Sequence, residues 1–336
     1  MLKKLRAKLF ISIAIAAVIG VAFSIYANTD ELKETIETFA YGILPLVLAL
    51  SLVNYLVRFV RWQFYLKALK IDIPRGESFG VFMSSLAMSV TPGKMGEVVK
   101  SYFLKTLNSV PYSKSAPIIF AERITDLLSL LVIALIGAYS IGQDKRFIII
   151  VGLIFIACIA VIANRNISTR IIRRAQKFSL LSKWMKPIQI AYESSHTLFT
   201  GRVLAVSLLL GLVAWFSECV GFLFVLDGAD VHFRLLSASF IYAFSTVVGA
   251  ISFLPGGLGV TDTSLAGLLI FAKVPKDAAV AATFIIRGAT LWFAVIIGAG
   301  VLSYMQKRYS VALDGKTENG EAALPGERSS AGEGPR

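Results

Sequence analysis

The chain has 336 residues, of which 56% are hydrophobic and 16% charged, and its mean hydropathy is +0.72. A soluble domain could not hide that much apolar surface, so soluble enzymes and soluble binding modules are excluded and an all-α, polytopic membrane helix bundle is expected. The net charge of +13 does not call for a nucleic-acid partner, because the Lys and Arg residues fall mainly in loops beside apolar runs, where they mark the cytoplasmic side of a membrane.

The N-terminus carries Lys3, Lys4, Arg6 and Lys8 ahead of an apolar run over residues 9–27, which is long for a signal peptide and reads as an uncleaved first span. Residues 28–39 hold Asp30, Glu31, Glu34 and Glu37 against Lys33 alone, as an outer loop should. A second span over residues 40–57 returns the chain to Arg58, Arg61, Lys67, Lys70 and Arg75, expected as a cytoplasmic basic cluster with Trp62 and Tyr65 at the interface.

Residues 78–90 are apolar but too few to cross roughly 30 Å of hydrocarbon before Pro92 and Gly93 interrupt them. Lys94, Glu97, Lys100 and Lys105 follow, and the pattern predicts a re-entrant hairpin entering from the cytoplasm. Residues 116–142 and 147–163 make two further spans joined by a short polar link. Residues 164–202 then hold eight Lys or Arg against Glu193 alone, the clearest inside mark in the chain. Within that link Ile171, Ile172, Ala175 and Phe178 alternate with Arg170, Arg173, Arg174 and Lys177, predicting an interfacial helix that Pro187 ends or kinks.

Residues 203–226 cross outward, and residues 236–254 run into a second break at Pro255, Gly256 and Gly257, a hairpin expected to enter from outside. The last span, residues 278–305, ends at Lys307 and Arg308. Six full spans and two oppositely entering hairpins put both termini in the cytoplasm of a cell membrane. Residues 1–309 form the membrane domain, and residues 310–336, rich in Gly, Glu, Ser and Pro, are expected to be a disordered cytoplasmic tail.

Two stretches, residues 40–142 and 203–305, repeat the order span, hairpin, span, with one crossing between them that inverts the second. Pro92, Gly93 and Gly96 recur 163 residues on as Pro255, Gly256 and Gly259, and Phe120, Arg123 and Leu127 recur 164 residues on as Phe284, Arg287 and Leu291. Inverted repeats with broken helices characterise many secondary transporters, whose sites lie near the midplane between the copies. Proline and glycine at each break end one half-helix and start another, whose first N–H groups favour an anion such as phosphate.

Charged groups inside a membrane span cost roughly 2.5–3.5 kcal/mol each on insertion scales, so they pair or line a wet cavity. Substrate binding is therefore expected at Lys94, Glu97, Arg123 and Arg287, with Asp262 near the second tip. Glu122 and Asp126 are expected as ion-pair partners of Arg123, and Asp262 also suits a helix cap. Cys158 and Cys219 lie in apolar runs and form no ligand pattern with His196 or His232, so neither a disulfide framework, a metal site nor a cofactor is expected.

Arg58-Phe59-Val60-Arg61-Trp62, Thr91-Pro92-Gly93-Lys94-Met95-Gly96-Glu97, Ala121-Glu122-Arg123-Ile124-Thr125-Asp126 and Leu254-Pro255-Gly256-Gly257-Leu258-Gly259 together resemble the lysylphosphatidylglycerol synthase transmembrane region family, also called flippase-like membrane proteins. The resemblance covers most of residues 1–309. It implies movement of an anionic or aminoacylated phospholipid, or a polyprenyl-phosphate-linked lipid, between leaflets. It also implies an acidic residue after the second turn, a role for Asp262, although Val260 stands where an aligned glutamate would be. Bifunctional members add a soluble aminoacyl-transferring domain, and the short tail here is expected to exclude that tRNA-dependent activity. No Walker-type sequence is present, so ATP-driven transport by this chain alone is not expected. Two other readings stand beside lipid movement: a membrane transferase using Glu97, Glu122 or Asp126 as acid or base, and a non-transporting partner of a glycosyltransferase or lipid-modifying enzyme.

Overall fold

The computed structural model describes residues 29–91, 98–140 and 185–318, and every element there is helical. The expected spans at 9–27 and 147–163, the interfacial helix around Arg170 to Lys177, and the first break itself (Pro92, Gly93, Lys94, Met95, Gly96 and Glu97) lie outside the described residues.

The helices are α1 (Thr29–Thr38), α2 (Leu44–Ala68, entered through a tight turn at Tyr41–Ile43), α3 (Arg75–Leu86), α4 (Val99–Asn108), α5 (Tyr112–Ser140) and α6 (Met185–Leu198). After them come α7 (Gly201–Gly228), α8 (Leu235–Ile251), α9 (Val260–Phe271), α10 (Lys276–Arg287) and α11 (Phe293–Glu318). A π-helical turn at Gly288–Trp292 joins the last two into one continuous rod. Among the described residues three helical stretches are long and apolar enough to cross a membrane: Tyr41–Ala68, Gly201–Gly228 and Lys276–Arg308. At 29 residues α5 is also long, but it carries Glu122, Arg123 and Asp126.

Several boundaries differ from the sequence reading. α2 does not stop at residue 57: it continues through Arg58, Arg61, Trp62 and Tyr65, all four of them buried. The arginines therefore belong to the helix interior rather than to a cytoplasmic loop, and Trp62 and Tyr65 pack in a core with Phe82, Phe103 and Leu104 rather than at an interface. Pro187 sits in the first described turn of α6, and the helix it was expected to end or kink lies outside the described residues. α11 runs on through Glu318.

Chain reversals reuse one device. Lys70, Ser109, Asp230 and Lys273 all take positive φ just past a helix end. After three of them the next N–H reaches back five residues: Ile71 to Leu66, Val231 to Leu226 and Val274 to Leu269, while Val110 reaches Leu104. These bonds satisfy carbonyls that a helix end leaves open.

α2 packs along α7 in the antiparallel sense. Phe39 lies beside Gly228, Leu50 accepts a hydrogen bond from Ser217 at 3.2 Å, Asn54 donates to the Ala214 carbonyl at 2.8 Å, and Arg61 borders Gly211. α3 lies against α11, and α8 against α5. The approach of α3 and α11 is close enough that a Cβ at Gly298 would press on the backbone of Leu86 and Ala87, consistent with small residues letting membrane helices meet.

Candidate functional site

Three arginines converge on one carboxylate. Arg58 and Arg61 stand one turn apart on α2, and Arg123 and Asp126 one turn apart on α5, so each pair shares a helix face. The Arg61 guanidinium is 2.5 Å from one Asp126 oxygen and also reaches the Thr125 hydroxyl at 3.2 Å. The other Asp126 oxygen is 3.3 Å from Arg123 and 3.8 Å from Arg58. Trp215 of α7 donates its indole N–H to Asp126 at 3.1 Å. Arg61 is fully buried, whereas Arg123 keeps a quarter of its side chain open. The Arg58 Nε–H is buried with no acceptor among the described atoms.

The Asp126 carboxylate is thus shared by three guanidiniums, the Glu218 carboxylate stands on the same cavity wall, and burial weakens the screening that water would supply. These residues face a cavity of about 500 Å³ bounded by α2, α5, α7, α8, the second break and the start of α11. Arg58, Arg123, Asp126 and Trp215 line it, together with Tyr55, Glu218, Tyr242 and Arg287. Glu218 lies in the middle of α7 and accepts the Tyr242 hydroxyl at 2.7 Å, while Tyr55 donates its hydroxyl to the Thr290 carbonyl at 2.5 Å inside the π turn.

The second break is held by a one-to-one clamp. Arg287, the last residue of α10, contacts an Asp262 oxygen at 2.7 Å and donates to the Gly256 carbonyl at 2.7 Å. The other Asp262 oxygen accepts the Gly259 N–H at 2.8 Å, so Asp262 caps α9 while holding Arg287. Gly256, Gly257 and Gly259 all have positive φ. Gly256 also approaches Val90, two residues before the first break: a Cβ there would lie 3.4 Å from the Val90 Cα, in van der Waals contact.

Of the residues expected from the sequence, Arg123, Asp126 and Arg287 line this cavity, while Asp262 stands behind Arg287 and is not part of the lining. Lys94 and Glu97, with Pro92, Gly93 and Gly96, lie outside the described residues. Glu122 is not a partner of Arg123: its carboxylate pairs with Lys100 at 2.8 Å, both side chains 1% exposed, with Lys100 packed over the rings of Trp62 and Phe82. Helix geometry turns Glu122 toward α4, away from the cavity. Sequence reasoning missed Arg58, Tyr55, Trp215, Glu218 and Tyr242. For Glu218 the signal was available, since a lone carboxylate inside an apolar span is costly unless it serves a site.

An all-helical bundle with apolar spans and buried ionisable residues defines an integral membrane protein. The chain belongs to the family described as the lysylphosphatidylglycerol synthase TM region, whose model matches residues 9–298. It is similar to a UPF0104 membrane protein of Pyrococcus horikoshii, 24% identical over 297 residues, covering 80% of this chain and 88% of the relative. A UPF0104 membrane protein of Methanocaldococcus jannaschii is 23% identical over 225 residues, covering 66% of this chain and 94% of the relative. Another, from Methanothermobacter thermautotrophicus, is 22% identical over 331 residues, covering 89% and 97%.

Proposed function

We propose that the chain moves an anionic membrane lipid, a phospholipid or a polyprenyl-phosphate-linked lipid, between leaflets, with its head group held in the central cavity. The observation that carries this reading is the convergence of Arg58 and Arg123 on the wall of one cavity, around Asp126. Arg58 and Arg123 carry guanidinium groups of the kind that suits phosphate oxygens, on the wall of a cavity large enough for a head group.

The route is supplied by two inverted copies of one unit, residues 40–142 and 203–305. Four matched features support that reading. Lys70 and Asp230, 160 residues apart, close equivalent reversals, as do Ser109 and Lys273, 164 residues apart. α3 packs on α11 as α8 packs on α5, each short helix on the long helix of the other copy. Asn54 bonds to Ala214, its own counterpart 160 residues on, across an antiparallel seam. Trp215 reaches Asp126 while Tyr55, its counterpart, reaches Thr290, the counterpart of Asp126. Such an exchange of partners is what a two-fold relation between copies requires. The two breaks then form oppositely entering hairpins whose tips meet at Val90 and Gly256, with both chain termini on the cytoplasmic side.

Purified protein in liposomes with head-group-labelled anionic lipids provides the test. Movement between leaflets without covalent change is expected, and Arg58→Gln should slow it at least tenfold while leaving the fold intact. Absence of movement for every anionic lipid tried, with folded protein, overturns the reading; a covalent lipid product would place the chain among transferases instead.

A further inference from the structure

The cavity has one wall whose residues face both ways. α5 and α8 are tightly packed at one end of their seam, where a Cβ on Gly137 would lie 2.6 Å from the Leu236 carbonyl oxygen and 2.8 Å from the Phe240 Cβ. Toward the other end, Phe120 of α5, Ile251 of α8, and Phe253 and Leu254 just beyond α8 line the cavity. The same residues are 52%, 61%, 73% and 45% exposed, so the cavity is open along them rather than enclosed. A cavity wall so accessible marks an opening, and these four residues make its rim apolar.

The backbone at Phe253 is a second observation. Its φ of 55° lies in the left-handed region, which an aromatic residue rarely adopts. The neighbouring turn holds it there, with the Ser252 hydroxyl donating to the Gly249 carbonyl at 2.7 Å and accepting the Leu254 N–H at 3.3 Å. The same left-handed residue stands two positions past the helix end at Lys70, Asp230 and Lys273. Here it accompanies the most exposed ring at the mouth of the cavity.

Spacing supplies the third element. Phe120, Arg123 and Leu127 follow one another at three- and four-residue steps, so they share a face of α5, and Phe120 is one turn, about 4.5 Å of helix rise, from Arg123. A hydrocarbon chain lying across Phe120 would leave a phosphate at its end beside Arg123 and Arg58. A free phosphate ester presents the same charged chemistry to those arginines but has nothing to place on Phe120, Ile251 and Phe253.

We infer that the seam between α5 and α8 is a lateral portal, with Phe120, Ile251 and Phe253 as an apolar sill that carries the hydrocarbon chains of a phosphate-bearing lipid while its head group occupies the arginine cavity. The inference rests on the lipid-movement reading and adds where the lipid enters and why its tails are part of recognition.

Two measurements on the full chain in lipid vesicles test it. In the first, phosphatidylglycerol brominated on its acyl chains is the probe, and the fluorescence of Trp215 is isolated by difference from Trp215→Phe. Quenching of Trp215 is expected. No quenching, with sn-glycerol phosphate alone changing the Trp215 emission, would mean that the cavity takes a soluble phosphate ester, and would overturn the portal. In the second, Phe253→Cys, in a background lacking Cys158 and Cys219, is alkylated with a bulky maleimide. Lipid movement should fall at least tenfold and the Trp215 quenching by at least half. The same treatment of Ile296→Cys, exposed on α11 outside the cavity lining, should change neither by more than twofold. Unchanged movement and unchanged quenching after modification at Phe253 would overturn the portal while leaving lipid movement intact. Quenching without movement in the unmodified protein would overturn transport and keep the portal as a lipid-binding groove.

Discussion

Two charged arrangements facing the same cavity differ in their stoichiometry. Arg287 meets one carboxylate, Asp262, and one carbonyl, Gly256, and its guanidinium is committed to holding a turn. Around Asp126 three guanidiniums share a single carboxylate, and Arg58 reaches it at only 3.8 Å. The first arrangement is balanced and belongs to the architecture. The second gathers several guanidiniums on a cavity wall around a shared carboxylate, the arrangement on which the proposed anionic head group would dock. Position in the membrane alone does not separate the two; counting partners does.

The comparison can be broken by substitution. Asp126→Ala should have the largest effect, leaving buried arginines without their counter-charge, and unfolding in detergent should show a loss of about 3–5 kcal/mol. Added anionic lipid should restore part of that stability, and no restoration would count against a bound anion. Arg287→Met should cost about 3 kcal/mol by leaving Asp262 buried and unpaired, but Arg287→Met with Asp262→Leu should recover most of it, because a balanced pair exchanges for apolar packing at little cost. Failure of the double variant to recover would mean that the clamp, too, does more than hold the turn. Gly256→Ala should lose about 1–2 kcal/mol because its left-handed backbone is strained for any residue with a side chain. Smallest of all, Lys100→Met combined with Glu122→Leu should shift stability by about 1 kcal/mol or less and leave lipid movement unchanged, since that pair lies outside the cavity lining.

The helical, membrane-embedded class was legible from composition, and the second break from Pro255 and its glycines, because both depend on local chemistry. Arg123, Asp126, Arg287 and Asp262 were legible as charges that an apolar setting could not leave alone. Arg58 and Arg61 were misplaced for an instructive reason. Ending a span at its first charge assumes that the charge needs water, but Arg61 obtains its neutralisation from Asp126, on another helix. Nothing within the apolar run of α2 announces that partner. Glu122 failed in the same way, since its neighbour in sequence was Arg123 but its neighbour in space is Lys100.

The antiparallel seam between α2 and α7 has an energetic corollary. Asn54 and Ala214 meet at a point about which the two helices exchange places, with Leu50 beside Ser217 on one side and Arg61 beside Gly211 on the other. If the two units are interchangeable in this way, a rocking motion that opens the cavity toward one leaflet has a near mirror in the motion that opens it toward the other. Neither end state then carries a large intrinsic advantage, and the resting equilibrium sits close to even. Net flux through such a device follows the lipid gradient, and consumption of the lipid on one side is enough to set its direction.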